Sequence, residues 1–174
     1  AGATAEEREM NHVVRDPFKE NTVYVGSRRG LKISYDGGET FEKALQRYVV
    51  TSDIRWIEPH KTQRGVLYVG ANWGLFRSTD SGKNFKLVHR SPWPALSLVR
   101  QVRIAPADPS MIWLATADGL LLSRDDGLTY TRIGGSLFIG RDIKKIAFSG
   151  QPGHVIVGTV RDLWETYDGG KTWQ

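Results

Sequence analysis

A frame of nineteen residues occurs four times along the chain, and its first copy reads Val23-Tyr24-Val25-Gly26-Ser27-Arg28-Arg29-Gly30-Leu31-Lys32-Ile33-Ser34-Tyr35-Asp36-Gly37-Gly38-Glu39-Thr40-Phe41. The later copies span Leu67 to Phe85, Ile112 to Tyr130 and Val155 to Trp173, with no gap inside any of them. Their starts lie 44, 45 and 43 residues apart. A period of this size indicates a repeat protein in which each unit is one supersecondary element.

Each copy of the frame predicts two short strands and the start of a third. It opens with an apolar run of β-branched or aromatic residues, such as Val23-Tyr24-Val25, and a glycine such as Gly30 closes the turn that follows. A second strand then leads to Ser34 and to a tight turn. Short runs bounded by Gly and Asp are typical of antiparallel hairpins.

The tight turn has a chemistry of its own. Its Asp can accept hydrogen bonds from nearby backbone N–H groups, and the Ser or Thr two residues earlier can fix the other side. A Gly permits a positive φ at the turn exit, and the final aromatic ring is expected to be buried against a neighbouring repeat. The residues predicted to be structural in this way are Ser34, Asp36, Gly38, Phe41, Ser78, Asp80, Gly82, Phe85, Ser123, Asp125, Gly127, Tyr130, Thr166, Asp168, Gly170 and Trp173.

The pattern Ser34-x-Asp36-x-Gly38-x-Thr40-Phe41, repeated from Thr166 to Trp173, resembles the Asp-box or BNR repeat. The two middle copies depart mildly from it, with Asn84 in place of Thr and Tyr130 in place of Trp. Asp-box families include sialidases, sortilin-type receptors, xyloglucan-degrading endoglucanases and the photosystem II assembly factors with their bacterial relatives. All are β-propellers, and the chain is most similar to those bacterial relatives. The resemblance covers residues 10–174 and implies an all-β propeller, but the box occurs in enzymes and binding proteins alike.

The composition fits one domain with a substantial core, since the 174 residues include six Trp, six Tyr and six Phe. No apolar run approaches the length of a membrane-spanning helix. The absence of Cys excludes disulfides, thiolate nucleophiles and Cys-based metal sites. The formal net charge of +5 is compatible with acidic protein or phosphate partners without indicating either.

An inner strand precedes each frame, and a fourth strand follows each box aromatic. Four antiparallel strands in about 40–45 residues make one propeller blade. We therefore predict a tail at residues 1–9 and blades at approximately 10–52, 53–98, 99–140 and 141–174. The inner strands are predicted at His12 to Arg15, Ile54 to Ile57, Val102 to Ile104 and Ile143 to Phe148.

The last blade is expected to be incomplete, because only Gln174 follows Trp173. An unclosed stack would expose the apolar faces of its end blades. We therefore expect a longer natural protein, or a ring closed by blades of another chain. The opening Ala1-Gly2-Ala3 resembles the end left by signal-peptide cleavage, and with the family resemblance it predicts export to a periplasmic, lumenal or extracellular location. The alternative is an arbitrary chain start.

The turns between the second and third strands are where the four repeats differ most. Strand parity places them on one rim with the connectors between blades, and places the box turns on the other rim. A regular frame with irregular tips is typical of a binding surface, although an ordinary solvated surface is the alternative. Trp93, in the connector His89 to Leu98, either covers the core or is an exposed contact. The candidate partner-binding residues are Arg28, Arg29, Asn72, Trp73, Trp93, Asp118 and Arg161. A second cationic set, predicted to line a central channel, comprises Arg55, Arg100, Arg103, Arg141, Lys144 and Lys145.

An enzyme would need residues that the sequence supplies only in part. A sialidase requires Arg-Ile-Pro before the first box, and Val102-Arg103-Ile104-Ala105-Pro106 is a near match before the third. Tyr48 with Glu58 would imitate a Tyr nucleophile and its base. A glycosidase needs two carboxylates at a defined separation, for which the candidates are Asp53, Asp118, Asp142 and Asp162. We predict no catalytic residue within the chain.

Neither a cofactor nor a metal site is predicted, because His12, His60, His89 and His154 lack ligand spacing and each box offers one carboxylate. No nucleic-acid-binding motif is present. The sequence favours a non-catalytic scaffold that binds another protein or a larger complex. The alternative is part of a glycoside-acting enzyme, sialidase-like or xyloglucanase-like, with catalytic residues partly outside this chain.

Overall fold

The computed structural model describes residues 10–44 and 52–174, and within them the strands form four antiparallel sheets. The tail at residues 1–9 and residues 45–51, including Tyr48, lie outside the described residues. The first sheet contains β1 (Met10–Asp16), β2 (Lys19–Ser27), β3 (Gly30–Ser34) and β4 (Glu42–Lys43). The second contains β5 (Ile54–Pro59), β6 (Leu67–Ala71), β7 (Gly74–Ser78) and β8 (Lys86–His89).

The other two sheets complete the described part of the fold. The third contains β9 (Val99–Ile104), β10 (Ile112–Thr116), β11 (Gly119–Ser123) and β12 (Thr131–Arg132), and the fourth contains β13 (Lys145–Phe148), β14 (Val155–Gly158) and β15 (Leu163–Thr166). Short 3-10 helices at Pro94–Leu96 and Gly135–Leu137 lie in the connectors. No helix among the described residues has the length and apolar character needed to cross a membrane.

Strands that are consecutive in sequence are neighbours in each sheet, so each sheet is one blade of a β-propeller. The first residue of the frame pairs with the Ser or Thr of the box turn in every copy: Val23 with Ser34, Leu67 with Ser78, Ile112 with Ser123 and Val155 with Thr166. This constant register confirms the predicted hairpins. The all-β propeller prediction is likewise confirmed, with four blades in this chain.

The last blade has three strands and the first hydrogen bonds of a fourth. Glu165 and Gln174 exchange backbone hydrogen bonds of 2.9 and 3.0 Å, the reciprocal pattern of an antiparallel pair. Gln174 therefore occupies the position at which the fourth strand of the other blades pairs with the third.

The core consists of three apolar layers, each between two consecutive blades. The layer between blades 1 and 2 contains Tyr24, and those between blades 2 and 3 and between blades 3 and 4 contain Tyr68 and Trp113. These rings occupy the same frame position and are all at most 1% exposed. Because burial of such rings contributes strongly to stability, one frame position supplies the largest side chain of each layer.

Small residues in the second strand determine how closely the blades approach. A Cβ atom on Gly26 would lie 2.6 Å from Cγ2 of Ile54, and one on Gly70 would lie 2.9 Å from Cγ1 of Val99. Ile54 and Val99 begin the inner strands of the following blades. Glycine is therefore required at these two positions by blade stacking, a role that the sequence analysis did not identify.

The aromatic residue that ends each box turn packs on the preceding blade. Phe85 is 4% exposed and belongs to the layer with Tyr24, as predicted. Tyr130 is half-buried against the layer between blades 2 and 3, and Trp173 lies 6.5 Å from the ring of Trp113. The prediction was wrong for Phe41, which is 42% exposed. Its ring belongs to the side of blade 1 that would face a preceding blade, and the described residues contain no such blade.

Candidate functional site

Two rims follow from the strand order. The turns at residues 27–30, 71–74, 116–119 and 158–163, with the connectors between blades, form what we call the tip rim. The box turns and the turns between first and second strands form the opposite rim, which we call the box rim.

Hydroxyl groups hold three of the four tips in shape. The Oγ of Ser27 accepts a hydrogen bond from the Arg29 N–H at 3.1 Å and donates one to the Gly30 carbonyl at 3.1 Å. Thr116 makes the same two bonds in blade 3, and Thr159 makes them in blade 4. These turns are therefore rigid supports for the side chains that they carry.

The tip of blade 2 has a different support. Ala71 occupies the position of the hydroxyl residue, and Asn72 bonds instead to the strand beside it. The Asn72 side-chain oxygen accepts the Asp53 N–H at 3.0 Å, and the Asn72 N–H donates to the Asp53 carbonyl at 3.1 Å. Asn72 thus positions the turn that carries Trp73.

The most distinctive feature of the tip rim is a pair of exposed tryptophans. Trp73 is 51% exposed and Trp93 is 68% exposed, which excludes the alternative that Trp93 covers the core. The Arg90 guanidinium lies over the Trp73 ring, 5.5 Å from its centroid, within the range of a cation–π contact. Arg90 was missed in the sequence analysis, and its position directly after β8 was the available signal.

The connector that carries Trp93 is fixed to blade 3. The Ser91 hydroxyl accepts the Trp93 N–H at 3.2 Å and donates to an Asp118 carboxylate oxygen at 2.8 Å. Trp93 is therefore an exposed ring on an anchored backbone.

The remaining candidates separate into exposed cations and one buried anion. Arg28, Arg29 and Arg161 are all exposed. The prediction that Asp118 contacts a partner was wrong, because its side chain is buried and the residue is only 6% exposed. The Arg132 guanidinium reaches back from β12 and donates to the Asp118 carboxylate and carbonyl. Asp118 is therefore part of the blade structure.

Each carboxylate considered for glycoside chemistry forms an ion pair with an arginine: Asp53 with Arg55, Asp118 with Arg132, Asp142 with Arg100, and Asp162 with Arg141. For Asp142, burial raises the pKa, but hydrogen bonds from Arg100 and Lys144 outweigh it and leave the pKa below its usual value. A general acid requires a raised pKa. Asp142 is therefore held in the form that cannot donate a proton.

The inner strands carry most of the second cationic set. Arg55, Arg100 and Lys144 are neutralised by neighbouring carboxylates. Arg103 lies over the Phe148 ring at 5.7 Å, and Lys145 lies over the Trp56 ring at 5.2 Å. These inner-strand groups are separate from the tip-rim tryptophans.

The box turns use their polar groups internally. In blade 2, Asp80 accepts hydrogen bonds from the Asn84 N–H, the Asn84 side-chain amide and the Ser78 hydroxyl, each at 2.8 Å. The Ser78 oxygen in turn accepts the Gly82 N–H at 2.9 Å. In blade 3, bonds from Thr129 and Ser123 lower the pKa of Asp125 to about 2. Within residues 10–44 and 52–174, no three His, Asp or Glu side chains are grouped as metal ligands would be.

No family model matches the chain. A xyloglucanase of Hypocrea jecorina (strain QM6a) is 36% identical in an alignment 157 residues long, which covers 84% of this chain and 18% of that protein. The chain therefore spans less than a fifth of the length of this relative.

Solved structures share the fold at lower identity. An ancestral GH74 enzyme superposes with a TM-score of 0.80 at 19% identity, covering 95% of this chain and 24% of its own. YCF48 from Cyanidioschyzon merolae superposes with a TM-score of 0.64 at 17% identity, and the match covers 95% of this chain and 55% of YCF48. An extracellular domain of a hybrid two component system from B. thetaiotaomicron superposes with a TM-score of 0.72 at 20% identity. The match covers 99% of this chain and 24% of that one. The solved structures confirm the propeller fold, and a xyloglucanase belongs to one of the four kinds of propeller that the box pattern resembles.

Proposed function

We propose that this chain is a non-catalytic scaffold that binds another protein, or a larger complex, on its tip rim. The observation that carries the proposal is the pair of exposed tryptophans, Trp73 and Trp93, with Arg90 over the first of them. Trp and Arg are strongly enriched among the residues that dominate interface energetics. Two exposed indoles on anchored turns have no part in the apolar layers, and this supports a role for them in binding a partner.

An assembly role is the finer form of this proposal. It is supported by the resemblance of the box turns to those of the assembly-factor family and by the fold shared with YCF48. Further blades, from the same or another chain, are a second class of proposed partner. Nucleic acid is not among the proposed partners, and no cofactor is invoked.

The experiment is a capture from an extract of the source organism with three forms of the immobilised chain. The forms are the wild type, the double variant Trp73→Ser/Trp93→Ser and, as a box-rim control, the double variant Lys83→Glu/Lys171→Glu. Lys83 and Lys171 are both exposed. We expect a protein retained by the wild type and the control but not by the tryptophan variant, and reconstitution with that protein after purification should reproduce the difference. Equal retention by all three forms would contradict a tip-rim site.

A glycan-acting role is the second candidate, favoured by the 36% identity to a xyloglucanase. Exposed tryptophans also stack on sugar rings, so the same rim is compatible with glycan binding. Incubation with xyloglucan separates the two functions. We expect no release of reducing ends, because the carboxylates near the rim are ion-paired. Hydrolysis abolished by Asp162→Asn but not by Asp108→Asn would favour the enzyme.

Export is part of the proposal. It is supported by the likeness of the fold to an extracellular domain. Fractionation of the source cells with an antibody against the chain is the direct measurement. Recovery only with cytoplasmic markers would contradict export.

A further inference from the structure

A second concave site lies on the box-rim side of the inner strands. It is a pocket of about 310 Å³ between β1 and β5, and Arg103 of blade 3 lies at its edge. Its charged lining residues are Arg15, Lys61, Arg103 and Glu58. The pocket is formed by three blades and is separate from the tip rim.

Arg103 differs from Arg55 and Arg100, the arginines of β5 and β9 that have a carboxylate partner. Arg55, Arg100 and Lys144 each have a carboxylate partner. Among the described residues Arg103 has no carboxylate oxygen within 4.0 Å of its nitrogens, and its buried Nε has no hydrogen-bond acceptor. A buried donor without an acceptor costs free energy. Among the described residues the terminal nitrogens of the Arg103 guanidinium form no hydrogen bond or ion pair either, so they remain available to a ligand in the pocket.

Glu58 is the acidic group of the pocket, and it forms no ion pair with Arg103 within 4.0 Å. Its carboxylate accepts the Trp56 indole N–H at 3.0 Å. The Trp56 ring is itself fixed by the His12 ring, 4.0 Å between centroids, and by the Lys145 ammonium. Burial raises the pKa of Glu58, and the Trp56 hydrogen bond, Arg103 and Lys61 oppose this in part. The pocket therefore holds three cationic side chains against one carboxylate, which accepts a hydrogen bond from an indole.

We propose that this pocket binds a small oxyanion, a carboxylate or phosphate group, through Arg103 with Lys61 and Arg15. A guanidinium presents parallel N–H donors that match such a group. The exposed Lys61 and Arg15 contribute attraction from two further sides. The proposal is independent of the protein partner on the tip rim, because it concerns a different rim and a small ligand.

The Trp56 indole provides a local reporter, since its N–H bonds to the carboxylate inside the pocket. The experiment titrates the full chain, labelled with 15N, with inorganic phosphate or with acetate at pH 7 and constant ionic strength maintained with chloride. We expect a saturable shift of the Trp56 indole signal, identified with Trp56→Phe. A response to phosphate alone or to acetate alone identifies which source of the oxyanion the pocket accepts.

Three variants decide the assignment. Arg103→Met should weaken binding at least about tenfold, as expected for loss of a charge-assisted hydrogen bond. Arg124→Met, at an exposed position outside the pocket, should leave the affinity unchanged. If Arg103→Met fails to fold, the exposed Lys61→Met replaces it and should weaken binding severalfold. No saturable shift with either anion, or equal affinity in the pocket variant and the Arg124 control, would overturn the proposal.

Discussion

The carboxylates of the box turns each satisfy several donors at once. Asp36 accepts bonds from the Thr40 N–H and hydroxyl and from the Ser34 hydroxyl, and these hydrogen bonds hold its pKa far below the usual value. A carboxylate that accepts several hydrogen bonds within its own turn is a structural group. At this scale the turns stabilise the blades, and their chemistry leaves no oxygen available for a ligand.

Asp80→Ala should lower the free energy of unfolding by about 1–3 kcal/mol, because its Asn84 donors lose their acceptor. Chemical denaturation measures the change. The folded variant should retain wild-type affinity for a tip-rim partner. A variant that is fully folded but inactive in binding would show that the box turn is itself a site.

Stability should also depend on pH through the same groups. The pKa of Asp125 is depressed to about 2 in the folded chain, against about 3.9 for an unperturbed Asp. The stabilisation that ionised Asp125 provides is therefore present above about pH 4, and it is lost as the pH falls toward the pKa of Asp125 in the folded chain. Denaturation of wild type and Asp125→Asn between pH 2 and pH 6 should give curves that differ most at high pH and converge at low pH. A constant difference across this range would contradict the argument.

At the scale of elements, each blade depends on the one beside it. The rings of Tyr24, Tyr68 and Trp113 lie inside layers that no single blade can form. Gly26 and Gly70 let the next inner strand approach within contact distance. A blade therefore acquires its stability from stacking, as in other repeat proteins.

Phe85 and Phe41 allow this dependence to be tested at one frame position. Phe85→Ala should cost about 3–5 kcal/mol, because the ring is buried between blades 1 and 2. Phe41→Ala is the matched control and should cost far less, since exposed substitutions usually change stability by less than about 0.5 kcal/mol. Urea denaturation of both variants gives the comparison. Equal costs would mean that the layer between the blades is not the source of the effect.

At the scale of the whole molecule, strand parity separates two surfaces of different chemistry. The tip rim carries the exposed side chains of Arg28 and Arg29. The box rim carries hydrogen-bonded turns. Between the two rims, the first strands of the blades carry Arg55 and Arg100, which are ion-paired, and Arg103, which has no carboxylate partner among the described residues.

Reversing Arg28 and Arg29 to Glu should slow association with an acidic partner, and most strongly at low salt, because rim charges act through steering. Lys83→Glu/Lys171→Glu on the box rim is the matched reversal and should change association little. Binding kinetics at two salt concentrations measure both. Greater damage from the box-rim pair would place the partner on the other face.

The sequence by itself determined the central hairpin and the box turn of each blade, because the residues that form them lie within 19 contiguous residues. The pattern of apolar and polar residues determines the hairpin. Ser34 and Asp36 close the box turn through hydrogen bonds to residues at most four positions away. Local hydrogen bonds of this kind repeat wherever the frame repeats, so register and box geometry followed from the pattern.

Only the tertiary structure decided which equivalent residues differ in role. Phe41 and Phe85 share a frame position, yet one is exposed and the other buried, because a ring is covered only when a blade precedes it. Asp118 lies at a predicted tip, but its carboxylate forms an ion pair with Arg132 of β12. The Trp73–Arg90 contact and the pocket beside Arg103 join residues from separate strands or blades. Such contacts depend on how far long side chains reach across stacked sheets, and no spacing within one repeat encodes that distance.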